Sequence, residues 1–446
     1  MLKRRITLVV SDLHIGDGGP GDDFVDDARQ FARLVREQAD TPEGRVGEIE
    51  LIVNGDFLEL VQVQPDLYQG DFDQFWASEM ESLARVERVV AGHPEVFSAL
   101  SEFAVRGNGV TLYPGNHDVD LVWPRVQERL RSLIHSVRIE TDRVTYDRYG
   151  GRLQVSHGHL FEIVDPANMF TTFPRLILDG SDPHRLPMCP GTLFMLRFVN
   201  LMEAKYPFAD NVSPVTALIG IFAREDKFGL ASLAWLFSRF MVQFPQAFLS
   251  AAEAKNVPIG KQLLNAIQSD HYLRADIARL YGDVLGALGK NEADVKRELD
   301  SEEAVASLLE ALFRADPTLE RWISVFDSAK PDTLSVSQLG GDLLKITTSG
   351  QTDAREGCIT IARGLWNAGA QVVVLGHTHL PQSIGSGDRR YYNPGSWTRY
   401  VENADGLSLK DLQDETKFPY QLNYVRVEDT GDKILLSDMI TYEKRS

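Results

Sequence analysis

The chain has 446 residues, of which 43% are hydrophobic and 25% are charged. This composition is typical of a globular protein, and the length allows one large domain plus a second domain or a large insertion. The formal net charge of -18 at pH 7 makes duplex nucleic acid an unfavourable partner, because phosphate contacts need clustered Lys and Arg. The cysteines, Cys189 and Cys358, are far apart in the sequence, which predicts a reducing compartment without disulfides.

Predicted strands and helices alternate in the first third of the chain. Apolar runs predict the strands, and apolar residues at helical spacing predict the helices. In chain order they are strand Ile6–Val10, helix Asp23–Gln38, strand Glu50–Val53, helices Phe75–Val90 and Glu95–Val105, strand Val110–Tyr113 and a helix within Trp123–Ile134. This alternation predicts a layered α/β domain. The N-terminal apolar run is too short for a signal peptide, so we expect a cytoplasmic protein.

The pattern changes after residue 138. Residues 138–155 predict a hairpin with its turn at Gly150-Gly151, and residues 165–338 predict helices without strands. Strands resume with Leu343–Thr347 and Gln371–Leu375, and the closing strands are expected within Tyr391–Trp397, Tyr424–Val427 and Lys433–Ser437. The sequence therefore predicts one domain in two parts, residues 1–164 and 339–446, split by a helical insertion at 165–338.

The predicted insertion contains the most apolar segments of the chain. Asn211–Ala223 and Phe228–Ser238 carry no charge, but neither reaches the roughly 18 to 20 residues that a membrane span needs. They favour either the buried core of a cap domain or a surface that faces lipid or an acyl chain. Peripheral membrane contact through this insertion is thus one expectation.

Short polar motifs follow the predicted strands. They contain Asp12 and His14, Asp56, Asn116 to Asp118, His157 with His159, and His377 with His379. Carboxylate, imidazole and amide groups are the ligands that hard to borderline divalent cations accept. Because α/β sheets place ligand sites at the carboxyl ends of strands, we expect these side chains to converge. Histidines that stand alone, His93, His135, His184 and His271, are expected to be solvated or hydrogen-bonded.

The order of these motifs resembles the calcineurin-like metallophosphoesterases. Their pattern is D-x-H, G-D, G-N-H-D, a single H and G-H-x-H, and each part has a match in this chain, within residues 5–160 and 340–400. The resemblance implies a four-layer αββα sandwich, to which the helical insertion is an addition. It also implies an enzyme, a metal-dependent phosphoesterase with two divalent metal ions, of which Mn²⁺ is expected.

The resemblance further implies a role for each matched residue. One metal is assigned to Asp12, His14, Asp56 and His379, and the other to Asp56, Asn116, His157 and His377, with Asp56 shared by both. A bridging hydroxide is expected to attack phosphorus, while His117 assists and Asp118 orients His117. His159 is expected to support the ligands from behind or to face the substrate.

The substrate and the class of function leave alternatives open. Ser11–His14 and Asn54–Glu59 look most like the UDP-2,3-diacylglucosamine pyrophosphatase branch, although that branch commonly has Arg at the position of His117 and is shorter. The expected substrate is therefore a lipid-linked pyrophosphate or a phosphorylated small molecule. The alternatives are a nuclease of the same fold and a binding scaffold without catalysis, such as the retromer subunit of this superfamily.

Overall fold

The computed structural model describes one part of the chain well and leaves most of the predicted insertion undescribed. The described residues are 5–19, 21–24, 27–63, 75–141, 145–159, 184–187, 192, 195–196, 200–203, 206–209, 211–212, 221, 355, 357–401, 406–431 and 435–443. The chain divides into two compact units: Met1–Asn211 with Gln351–Glu402 and Asp414–Ser446, and Val212–Gly350 with Asn403–Gln413. The predicted strand Leu343–Thr347 and most of the predicted helical insertion lie outside the described residues, including Phe228–Ser238 and all of Asn211–Ala223 except Asn211, Val212 and Ile221.

The described part of the first unit is a mixed α/β structure. Its strands are β1 Ile6–Val10, β2 Ile49–Asn54, β3 Phe75–Ser78, β4 Gly109–Tyr113, β5 Arg138–Ile139, β6 Tyr146–Arg148, β7 Leu153–Val155, β8 Arg185–Pro187, β9 Val372–Val374, β10 Gln382–Ser386, β11 Arg389–Asn393, β12 Asn423–Asp429 and β13 Leu435–Thr441. Its helices are α1 Asp27–Asp40, α2 Pro42–Arg45, α3 Glu79–Gly92, α4 Pro94–Val105, α5 Pro124–Leu133, α6 Asn200–Glu203 and α7, residues 357–367. Short 3₁₀ turns span Val119–Val122 and Glu415–Lys417, and a third, Asp411–Gln413, belongs to the second unit.

Two sheets carry most of these strands. The first has the order β13-β12-β1-β2-β4-β5, in which β1, β2, β4 and β5 are parallel to one another, whereas β12 pairs antiparallel with both β1 and β13. The second has the order β10-β11-β9-β7-β6, with β11, β9 and β7 parallel and antiparallel strands at both edges. In each sheet the central strands are parallel, so their carboxyl ends lie at the same end of the sheet.

The inner faces of both sheets contribute to one hydrophobic cluster. Its buried members are Val9, Ile52, Tyr113, Tyr146, Leu153, Val155, Val372, Val374, Tyr392, Val425, Val427 and Leu435. A second cluster joins Cys358 and Trp366 of α7 to Val373 and Tyr391 of the second sheet. On the first sheet, α4 contacts β4 and packs against α1. Burial of these apolar faces is the main favourable term that holds the two sheets and their helices together.

Most predicted elements are found within a few residues of their expected bounds, and two assignments were wrong. The segment predicted to be helical from Phe75 starts as strand β3, because Ser78 and Glu81 form a capping box that begins the helix at Glu79. The second error concerns β8, a strand inside the stretch predicted to be helical. Arg185 in β8 donates to both Glu81 carboxylate oxygens, at 2.7 and 2.9 Å, and this buried pair holds β8 beside β3.

No helix among the described residues combines the length and the apolar character that crossing a membrane requires.

Candidate metal centre

Each predicted motif follows the carboxyl end of a strand. Asp12, Asp56 and Asn116 come after β1, β2 and β4, which are neighbours in the first sheet. His157 and His377 come after β7 and β9, which are neighbours in the second sheet. The tertiary structure therefore places ligands from both sheets at one end of the shared core, as the strand assignments predicted.

Four of the predicted ligands form the first group. Ligand atoms of Asp12, His14, Asp56 and His379 all lie within 4.8 Å of one another. His14 Nε2 is 3.0 Å from His379 Nε2. His379 Nε2 is 3.4 Å from Asp12 Oδ1, and His14 Nε2 is 3.7 Å from Asp56 Oδ2. Two imidazole nitrogens and two carboxylates thus surround one small volume, an arrangement that could hold a metal ion.

A second group shares Asp56 with the first. Ligand atoms of Asp56, His157 and His377 lie within 4.8 Å of one another. His157 Nε2 is 3.0 Å from Asp56 Oδ2 and 3.2 Å from Asn116 Oδ1. Because Asp56 belongs to both groups, its carboxylate lies between them. The four residues expected to hold the second metal are therefore brought together.

The orientation of the donor atoms supports a cation in this centre. The Nδ1 atom of His157 donates to the backbone oxygen of Asn54 at 3.0 Å, so the neutral ring presents a lone pair at Nε2. That lone pair faces the carboxylate of Asp56 and the amide oxygen of Asn116. Asp56 Oδ2 is buried and accepts no hydrogen bond of acceptable geometry from any described residue. Electron pairs that face one another in a buried site need positive charge between them.

Protons on the histidines are one source of such charge. Burial by itself would lower the pKa of His157, but the carboxylates of Asp56 and Asp12 outweigh it and raise the pKa to about 9. Burial by itself would also lower the pKa of His14, but the hydrogen bond to Glu59 outweighs burial and raises this pKa. For Asp56, burial favours the neutral form, yet the neighbouring imidazoles, His157 first, hold its pKa well below the usual range. The centre is therefore built to hold cationic charge around an ionised carboxylate.

Five of the predicted ligands have an unusual backbone conformation. Their φ angles are positive: 54° for Asp12, 49° for His14, 48° for Asp56, 70° for His377 and 57° for His379. Such angles are uncommon for residues other than glycine, and they cost free energy. Residues held in this way concentrate at functional sites, where the surrounding structure compensates for the strain.

Two glycines of the motifs are required by close packing. A Cβ atom at Gly115 would lie 2.6 Å from the backbone nitrogen of Asp56, and one at Gly376 would lie 2.5 Å from Asp12 Oδ2. Real Cβ atoms do not approach backbone and carboxylate atoms so closely, so a larger residue would displace a ligand. The glycines of G-N-H-D and G-H-x-H therefore allow ligand loops to approach each other.

Glu59 is a site residue that the sequence analysis did not assign. Its Oε2 accepts from His14 Nδ1 at 2.6 Å and from His117 Nδ1 at 2.7 Å, and its Oε1 lies 2.9 Å from His117 Nδ1. Burial would raise the pKa of this carboxyl, but His117 and His14 lower it to about 2, so Glu59 is ionised at neutral pH. The sequence feature that could have identified Glu59 is its position three residues after Asp56, in the turn that follows β2.

The contacts of Glu59 change the roles expected of His117 and Asp118. The carboxylate that orients the His117 ring is Glu59, whereas Asp118 was expected to do so. Asp118 instead accepts from the backbone nitrogens of Gly115 at 2.6 Å and Phe57 at 2.8 Å, and so ties the turn after β4 to the turn after β2. Asp118 lies three residues after Gly115, a spacing that allows its carboxylate to accept from the backbone N–H of Gly115. The partner of the His117 ring is Glu59.

The electrostatic environment keeps His117 protonated. Burial opposes protonation, but Glu59 and Asp56 outweigh it and raise the pKa of His117 to about 10. Burial, followed by repulsion from Asp56, raises the pKa of Asp118 to about 7. The His117 side chain is 14% exposed, whereas the side chain of His157 is fully buried. His117 is therefore a cationic group at the edge of the centre that an entering molecule could reach.

The remaining histidines fall into two groups. His159 is 1% exposed, and its ring lies 5.3 Å from the ring of His157 and 6.2 Å from that of His377, so it is packed beside two of the predicted ligands. His93 Nε2 pairs with Asp22 Oδ2 at 2.6 Å, which confirms the hydrogen-bonded environment expected for it. The isolated His135 and His184 are exposed, in agreement with expectation, and His271 lies outside the described residues.

Comparisons with known proteins give no family for this chain. A scan against protein-family models finds no match, and a search of curated proteins finds none either.

Proposed function

We propose that the chain is a metal-dependent hydrolase of phosphoester or pyrophosphate bonds, with the fold of the calcineurin-like metallophosphoesterases. The observation that carries this proposal is the pair of ligand groups that share Asp56. A carboxylate between two clusters of imidazole, carboxylate and amide groups suits two divalent ions held close together. The two sheets with a common core and helices packed on their outer sides support an αββα sandwich as the scaffold.

The donor set indicates which ions would be held. Asp12, His14 and His379 with the shared Asp56 would hold one ion, and Asn116, His157 and His377 with the same carboxylate would hold the other. Oxygen and imidazole donors without thiolate suit manganese, iron or zinc, and we propose Mn²⁺ as the ion to test first. When bound, such ions lower the pKa of water and neutralise charge on phosphoryl oxygens.

The protein's own residues would supply orientation and a proton. Glu59 holds the His117 ring through Nδ1, which leaves the Nε2–H of the cationic imidazole to donate to a phosphoryl or leaving-group oxygen. Proton donation by a positioned side chain accounts for roughly 10²- to 10⁴-fold in rate. The hydrogen bonds of Asp118 to Gly115 and Phe57 keep the loop of His117 against the loop of Asp56.

For the substrate, we propose a phosphorylated small molecule or a lipid-linked pyrophosphate. The support is the cationic His117 at the rim of an otherwise buried centre, which favours an anionic group there. Most of the residues that are predicted to form a substrate-binding cap, or to contact a membrane, lie outside the described residues.

The first experiment is hydrolysis of bis-p-nitrophenyl phosphate and p-nitrophenyl phosphate by the Mn²⁺-loaded protein. The test variant is Asp56→Ala, which removes the shared carboxylate, and the control is Asp388→Ala at an exposed turn. We expect release of p-nitrophenol that Asp388→Ala retains and Asp56→Ala loses together with its metal. Protein confirmed to hold two Mn²⁺ ions that cleaves neither these esters nor lipid-linked pyrophosphates would refute the hydrolase and favour the scaffold. Cleavage of single-stranded DNA in preference to these substrates would favour the nuclease.

A further inference from the structure

Asn393, the last residue of β11, is bonded to the loop that carries His377 and His379. Its side chain is fully buried. Nδ2 donates to Gly376 O at 2.8 Å and to Thr378 Oγ1 at 2.9 Å, and Oδ1 accepts from the backbone nitrogen of Gly395 at 2.9 Å. Both amide hydrogens and the carbonyl oxygen of this residue are therefore used, and two of the three bonds reach the residues on either side of His377.

The loop held by Asn393 is strained. Thr378 N donates to Gly376 O at 2.8 Å, two residues back, and His377 between them has a φ of 70°. A three-residue turn with positive φ at its central residue is rare and strained. His379 also has positive φ, at 57°. Such a conformation persists only where other contacts impose it, and the bonds from Asn393 to Gly376 and Thr378 are contacts of this kind.

The turn that follows Asn393 also holds Asp12. Ser396 Oγ and Trp397 N donate to Asp12 O at 2.8 and 3.0 Å. The carboxylate of Asp12 in turn accepts from His377 N, at 3.0 Å from Oδ1 and 3.1 Å from Oδ2. The segment Asn393–Trp397 thus contacts a ligand loop from each sheet.

We propose that Asn393 is a positioning residue for the metal centre, an inference that rests on the proposed function. Its two donated bonds keep His377 and His379 in the left-handed conformation that directs His377 toward Asp56 and His157 and places His379 beside His14. Without these donors the turn relaxes toward negative φ, and both imidazoles leave the positions in which ligand atoms lie within 4.8 Å. Metal binding then weakens although every ligand side chain is still present.

The test compares Asn393→Asp with Asn423→Asp. The first variant keeps the size of the side chain and loses both donated bonds to the loop of His377. The second loses the bond from Asn423 Nδ2 to Pro394 O, 3.1 Å, which reaches the same turn but not the loop of His377. Both side chains are buried, so each variant introduces a buried carboxylate and the two destabilise the fold to a similar degree. Thr378→Val, which removes only the bond to Oγ1, is a milder third variant.

The measurement is Mn²⁺ titration of the metal-free proteins by calorimetry, with their melting temperatures recorded alongside. For Asn393→Asp we expect Mn²⁺ affinity to fall by about 10- to 100-fold, the usual effect of losing a partner that orients a ligand. Thr378→Val should weaken binding by about twofold to tenfold, the factor of one neutral hydrogen bond. For Asn423→Asp we expect the affinity of the wild-type protein.

Four results would overturn the inference, and they are distinguishable. Wild-type affinity in both Asn393→Asp and Thr378→Val would refute the positioning role and leave the proposed function intact. Equal loss in Asn393→Asp and Asn423→Asp would show a general effect of a buried carboxylate. If Asn393→Asp does not fold, wild-type affinity in Thr378→Val alone refutes the role. Wild-type protein that binds no Mn²⁺ would refute the proposed function, and this inference with it.

Discussion

Replacing Glu59 with glutamine in metal-loaded protein should weaken the positioning of His117, although it also removes the charge beside the expected ligand His14. Gln has the size of Glu and lacks its charge, so the buried side chain still fills its space at 2% exposure. The substitution removes the charge from the contacts of 2.6 Å to His14 Nδ1 and 2.7 Å to His117 Nδ1. A hydrogen bond between charged partners contributes about 1.5 to 3 kcal/mol. Loss of the bond to His117 alone therefore corresponds to about 10- to 100-fold in kcat.

The dependence of kcat on pH should also change in Glu59→Gln, in a definite direction. Burial opposes protonation of His117, and Glu59 is the first of the groups that outweigh burial and raise the pKa of His117. Without the charge of Glu59 this pKa falls, and the proton is lost at lower pH. We therefore expect the alkaline limb of the kcat profile to move to lower pH in Glu59→Gln.

The assay is hydrolysis of an aryl phosphate series at several pH values, with Glu102→Gln as the matched control. Glu102 is exposed and pairs with Arg36 at 2.8 Å on the surface, where an ion pair contributes little. Because a good leaving group needs no proton, Glu59→Gln should lose most activity on esters of weakly acidic phenols and least on p-nitrophenyl phosphate. An equal loss across the series with an unshifted pH profile would refute the role given to His117.

Further predictions follow from the same geometry. His117→Ala should keep its metal, since the ring is outside both ligand groups that share Asp56, and lose about 10²- to 10⁴-fold in kcat; unchanged kcat in metal-loaded protein would contradict this. In the metal-free protein the pKa of His157 is raised to about 9 from 6.5, so protonation of His157 stabilises the fold. This stabilisation is complete below the pKa of the unfolded chain, 6.5, and is lost as the pH rises through about 9. Mn²⁺ displaces this proton, so calorimetry should show an affinity that rises with pH up to about 9, with proton release. Gly115→Ala should destabilise the fold by about 1 to 3 kcal/mol in urea denaturation, because the new Cβ meets the backbone of Asp56; wild-type stability would count against the packing argument.

The sequence by itself determined the strands and the set of residues that converge at their ends. The runs Ile6–Val10, Glu50–Val53 and Val110–Tyr113 are mostly apolar, and buried parallel strands are the structure that such runs favour. The polar motif after each run was placed correctly because the carboxyl end of a strand is a local property. Convergence of Asp12, His14, Asp56, Asn116, His157, His377 and His379 followed from those strand ends.

The tertiary structure alone decided which groups orient these ligands. Glu59 and His117 are 58 residues apart in the sequence, and their 2.7 Å contact exists because the turns after β2 and β4 meet at one edge of the sheet. The bonds from Asn393 to Gly376 and Thr378 arise in the same way, between the last residue of β11 and the turn that follows the neighbouring strand β9. Periodicity and composition report on burial and local conformation, whereas a hydrogen bond between distant side chains depends on strand register and loop direction, which are set by packing of the whole core.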